Sequence, residues 1–160
     1  MQENAVQIAN PKTVEFQIAR TTLLPGLLKT VQANLKMPLP MKLFEISDIV
    51  LKDATKDVGA RNQRNLCALY YNKSPGFETV HGLLDRVMQL LEVPSVKSGD
   101  PAGYFLRGSD DDTYFPGRSA EIVAYGTVVG RLGVLHPETL AKFELSLPIS
   151  AMEINLELFL

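Results

Sequence analysis

Ala19-Arg20-Thr21-Thr22-Leu23-Leu24-Pro25-Gly26-Leu27-Leu28-Lys29 leads through a helical pattern into Leu43-Phe44-Glu45-Ile46-Ser47-Asp48-Ile49-Val50. Leu24, Leu27, Leu28, Val31 and Leu35 recur at the spacing of one helix face, which predicts a helix from about Leu24 to Lys36. Thr21 or Thr22 can cap it, and Pro25 is acceptable in a first turn. Asn34 lies near the apolar face, so it needs a buried partner or a frayed end. Met41 to Val50 reads as a long strand along which Glu45 alternates with Phe44 and Ile46.

Outward from this unit, two more helices are expected. One runs from about Pro75 to Glu92, with Ser74 as cap candidate and a stripe of Phe77, Val80, Leu84, Val87 and Leu91, widened by Leu83, Met88 and Leu90. A short one runs from Pro137 to about Leu145, with His136 as its cap and a Glu138–Lys142 pair one turn apart. Strands are expected at Val6–Ala9, Arg64–Tyr71, Tyr104–Leu106 and Ala151–Phe159, and Ser119–Tyr125 with Thr127–Leu135 reads as a hairpin about Gly126. Residues 52–63 and 95–103 read as polar loops. Strands joined by hairpins, with helices set between them, predict an α+β domain: a mostly antiparallel sheet flanked by helices.

The chain has 160 residues, 46% hydrophobic and 21% charged, which fits one globular domain over 1–160 and argues against disorder. A net charge of -2 lacks the basic excess of domains that bind nucleic acid by bulk electrostatics. The single cysteine, Cys67, cannot form an internal disulfide and reads as a small buried hydrophobe, which suits a reducing cytoplasm. The first ten residues are polar and mixed, so no signal peptide is read there, and no apolar stretch approaches the roughly 20 residues needed to span a bilayer.

The helix-then-strand unit resembles the approach to the second signature motif of class II aminoacyl-tRNA synthetases. More closely, it resembles the C-terminal synthetase-like part of the phenylalanine–tRNA ligase β subunit of archaeal or eukaryotic cytosolic type. Phe115-Pro116-Gly117-Arg118-Ser119-Ala120-Glu121-Ile122 and Gly133-Val134-Leu135-His136-Pro137-Glu138 are further landmarks of that resemblance. The resemblance covers essentially the whole chain and implies a class II catalytic-like fold, here as a piece of a longer β subunit. Active members carry arginines that grip ATP. The aligned segments here are Val50-Leu51-Lys52-Asp53 and Ala151 to Phe159, where the arginine slots read Leu51 and Leu158. Leucine has neither charge nor donor, so it cannot neutralise a phosphate as a guanidinium does. The implied role is a non-catalytic scaffold for the catalytic α subunit, in an assembly of two α and two β chains. That assembly uses ATP, magnesium, phenylalanine and tRNA, with no cofactor held by this segment.

Partner or tRNA contact is expected of Arg20, Leu24, Leu27, Leu28 and Arg118. Internal pairing of Arg118 with Glu45 or Glu121 is the favoured reading of that residue, and Arg20 poses the same choice. Glu45 is expected on the vestigial substrate face. Freed of its partner, the segment is expected to expose apolar surface and self-associate. Two other functions stay open: residual adenylation through Lys52, Arg20 or Arg118, and a free-standing tRNA-binding module. Asp110-Asp111-Asp112 reads as a solvated loop tip rather than a metal site, and His81 as a boundary residue rather than a ligand. The Gly126–Gly133 run lacks the ending of a phosphate loop and reads as turn glycines.

Overall fold

Strand alternation sorts the apolar side chains of this chain onto two sides of one sheet. The computed structural model describes Ala5 and residues 20–160; the strand expected at 6–9 lies outside them. In chain order the elements are α1 (Leu24–Ala33), β1 (Met41–Lys52), β2 (Ala60–Tyr71), α2 (Phe77–Leu90), β3 (Tyr104–Gly108), β4 (Tyr114–Ala124), β5 (Thr127–Leu135), α3 (Pro137–Lys142) and β6 (Ile149–Asn155), then a 3-10 turn at Glu157–Phe159. The six strands form one antiparallel sheet in the order β1-β2-β6-β5-β4-β3. The last strand therefore lies between the two halves of the sheet. Cys67, Leu69 and Tyr71 of β2 join Ile149 and Ala151 of β6 in a core with α1 and Leu140 of α3. The intervening Leu66, Ala68, Met152 and Ile154 face the other way and pack with Val80, Leu84 and Met88 of α2. An antiparallel sheet with helices on both faces is the predicted architecture.

Several boundaries differ from the sequence reading, each for a local reason. The stretch expected as a polar loop at 52–63 is loop over 53–59 only, because β1 and β2 pair from Met41↔Tyr71 out to Lys52↔Ala60. The polar residues 60–63 are half-buried or exposed strand at the loop end of the hairpin. Helix α1 stops at Ala33, where the Asn34 side chain donates to the Thr30 carbonyl at 2.7 Å. Helix α2 starts at Phe77 after Gly76 in the left-handed region, φ 62°, rather than at Ser74-Pro75. A Cβ at Gly76 would lie 2.3 Å from the Tyr70 ring, so this glycine is required by packing as well as by backbone angle. Strand β6 ends at Asn155, whose side-chain oxygen accepts from the Glu157 amide at 3.0 Å and turns the chain.

The hairpin about Gly126 forms as expected, with both Tyr125 and Gly126 at positive φ, as a tight primed turn requires. Gly130 and Gly133, however, are not turn glycines. They lie inside β5, where added Cβ atoms would meet the carbonyls of Glu153 and Arg118 at 2.2 and 2.6 Å. Cys67 is buried and free. His136 caps α3, its Nδ1 accepting from the Glu138 amide at 3.0 Å.

Candidate functional site

One line of side chains crosses all six strands on the α1 side of the sheet. The registers place Glu45 opposite Cys67, Cys67 opposite Glu153, Glu153 opposite Arg131, Arg131 opposite Glu121 and Glu121 opposite Arg107. Because Cys67 belongs to the α1 core, the whole row faces that side.

Every arginine described on this face is met by a carboxylate of the same chain. Arg20 reaches Glu45 at 3.1 Å, Arg61 reaches Asp53 at 3.4 Å, and Arg107 reaches Glu121 at 2.6 Å. Arg131 lies 3.6 Å from both Glu121 and Asp111. Such half-exposed pairs contribute little stability each, about 0–1 kcal/mol. Their effect is on charge: the face offers no free cationic fork. Arg20 is fixed further, its Nε donating to the Asp48 carbonyl at 3.0 Å and Nη2 to Ser47 Oγ at 2.5 Å.

Glu153 is bound most completely. Its carboxylate accepts from the Thr22 hydroxyl, from the Leu23 amide at 3.1 Å and from Asn65 Nδ2 at 2.7 Å. Asn65 is itself oriented by Gln63, whose amide donates to Asn65 Oδ1 at 2.9 Å, and Gln63 accepts from Arg61 at 3.3 Å. Leu23 is the N-cap of α1 and makes no side-chain cap of its own. The cap expected from Thr21 or Thr22 is thus supplied mainly by a glutamate from β6, with Thr22 Oγ1 accepting from the Leu24 amide at 3.3 Å. Burial, and then the adjacent Glu153 carboxylate, push the Cys67 thiol well above its usual range.

The remaining expected site residues fall elsewhere. Leu24, Leu27 and Leu28, expected at a partner or tRNA contact, are buried in the domain's own core. Arg118 does not pair with Glu45 or Glu121, which are held by Arg20 and by Arg107 with Arg131. Three residues from Glu121 along a strand, it leaves the opposite face of the sheet. Its guanidinium instead lies 5.1 Å from the centre of the Phe115 ring, which stacks on His136 at 6.2 Å. Arg118 also lines a cleft of about 480 Å³ between the start of α2 and β4, with Gly76, Phe77 and Glu78.

Leu51 packs against the α1 core, and Leu158 sits 54% exposed on the 3-10 turn beyond β6, not in the last strand. His81 is a boundary residue, its ring against Phe77 and its Nε2 3.7 Å from Asp85. Among the described residues no group of His, Cys, Asp and Glu is arranged to hold a metal ion. On the polar face the arginines and the start of α1 already hold carboxylates of the same chain. Sequence reasoning missed Asn65, Arg107 and Arg131. Asn65 left one signal, a polar residue in an apolar strand; the others depend on the register between neighbouring strands, which the local pattern does not fix.

A six-stranded antiparallel sheet with helices on both faces is the fold of class II tRNA synthetases. A solved pyrrolysyl tRNA synthetase from Desulfitobacterium hafniense superposes with a TM-score of 0.68 over 97% of this chain and 51% of that one, at 17% identity. Residues 1–156 match the family model of the phenylalanyl tRNA synthetase beta chain CLM domain, and the chain belongs to that family. It is 65% identical over 156 residues to the phenylalanine–tRNA ligase beta subunit of Homo sapiens and 59% identical over 155 residues to that of Drosophila melanogaster. These alignments cover 98% and 97% of this chain but 26% of each relative, so the chain spans about a quarter of their length.

Proposed function

We propose that this domain is the non-catalytic synthetase-like module of a phenylalanine–tRNA ligase β subunit, scaffolding the catalytic α subunit in a cytoplasmic assembly of two α and two β chains. In this reading ATP, magnesium, phenylalanine and tRNA are used by the whole enzyme, while this face binds no nucleotide. The observation that carries the reading is self-neutralisation. Adenylyl transfer needs fixed positive charge around the phosphates. Here Arg20, Arg61, Arg107 and Arg131 each lie within ion-pair distance of an acid of the same chain. Leu51, in one of the lost arginine slots, adds only apolar packing.

Contact area for the partner is better sought on β1 than on α1. Phe44 and Ile46 are 71% and 52% exposed on the side of the edge strand away from the polar row. Pyrophosphate exchange with ATP and phenylalanine tests the proposal. The chain alone is expected to show none above buffer, while the α–β assembly exchanges; robust exchange by the chain alone refutes the scaffold role. Binding of tRNA by the chain alone, with a steep dependence on salt, would instead favour a free-standing tRNA-binding module.

A further inference from the structure

The carboxylate of Glu153 is held as a ligand is held. Its three donors come from the start of α1 and from β2, between 88 and 131 residues away in sequence. One is the backbone amide of Leu23, at the positive end of a ten-residue helix with no side-chain cap of its own. Another is the amide of Asn65, which is 6% exposed and whose oxygen is engaged by Gln63, leaving its Nδ2 aimed at the carboxylate. The third is the Thr22 hydroxyl. None of these donors shares backbone with β6, so the arrangement does not require the acid to be attached to this strand.

We propose that Thr22, the Leu23 amide and Asn65 form a carboxylate cradle that Glu153 occupies as a built-in ligand, and that removing its side chain turns the cradle into a receptor for a small free monocarboxylate. Glu153→Ala deletes a methylene and a carboxylate, which are the atoms that acetate restores. The inference holds whether or not the domain scaffolds a partner, because it concerns only donors within this chain.

Thermal unfolding in sodium acetate and in sodium chloride of equal ionic strength tests it. In chloride, Glu153→Ala is expected to melt roughly 5 °C below the parent chain. Acetate is expected to return more than half of that loss, and to give no acetate-specific shift in the parent chain or in Glu153→Gln, whose amide still fills the space. Equal response of Glu153→Ala to acetate and chloride overturns the proposal, as does an equal acetate response in the parent chain. If Glu153→Ala is unfolded in chloride, refolding from urea decides: folding in acetate alone supports the cradle, and folding in neither salt overturns it.

Discussion

Asn65 shows how much one polar residue carries in a buried place. It links Gln63 to Glu153 across two strands, and removing its amide strips a carboxylate of a 2.7 Å donor. Asn65→Ala is expected to lower stability by about 2 kcal/mol, read from the urea midpoint at unchanged m-value. Cys67 makes a pH-dependent contribution. Its thiol has an ordinary value of 9.0 and is pushed higher in the fold by burial and by Glu153. Above that ordinary value the unfolded chain gives up a proton that the folded chain keeps. The contribution is therefore intact below pH 9.0 and declines as pH rises, by about 1.4 kcal/mol per unit. Cys67→Ala should flatten the fall in urea midpoint just above pH 9.0, leaving a later fall from Tyr104, which burial and Asp85 raise from 10.0 to about 12. Arg118 has no comparable stake. An exposed guanidinium over a ring contributes about 0.5–1 kcal/mol, so Arg118→Ala should shift the melting temperature by no more than about 3 °C.

Within the elements, two glycines invite opposite outcomes from the same substitution. Gly130 lies in β5 against the backbone of β6, where a Cβ would sit 2.2 Å from the Glu153 carbonyl. Gly130→Ala should cost about 3 kcal/mol or prevent folding, because backbone on both sides must move. Gly82 lies within α2 with nothing inside 4 Å of an added Cβ. Gly82→Ala should stabilise by about 0.5–1 kcal/mol through helix propensity, and paired thermal melts of the two variants check both signs. These elements also show what sequence reading can reach. The main helix stripes, the Gly126 hairpin and the His136 cap follow from local period and turn chemistry, and each forms, while Leu35, Leu83 and Leu90, expected on the stripes, are exposed. The extent of the β1–β2 hairpin does not, because exposed strand and exposed loop share a polar composition. The Glu153 cap of α1 and the Arg107–Glu121–Arg131 cluster depend on cross-strand register, to which local pattern is blind.

Across the whole molecule, the two sides of β1 are used differently. Glu45 joins the neutralised polar row while Met41, Ile49 and Leu51 pack with the α1 core, and Phe44 and Ile46 on the other side stay open. Paired polar replacements, Phe44→Ser with Ile46→Thr, should reduce any concentration-dependent self-association, measured by sedimentation equilibrium. The strand order has a different consequence. β6, the last of the described strands, is hydrogen-bonded to β2 on one side and β5 on the other, and among the described residues no other strand joins the two parts of the sheet. A nascent chain emerging from the ribosome can therefore hold two hairpin fragments with raw inner edges for as long as Ile149–Asn155 remain in the exit tunnel. A stop codon shortly before Ile149 would leave those fragments for chaperones and proteases, whereas one just after Asn155 would spare the sheet.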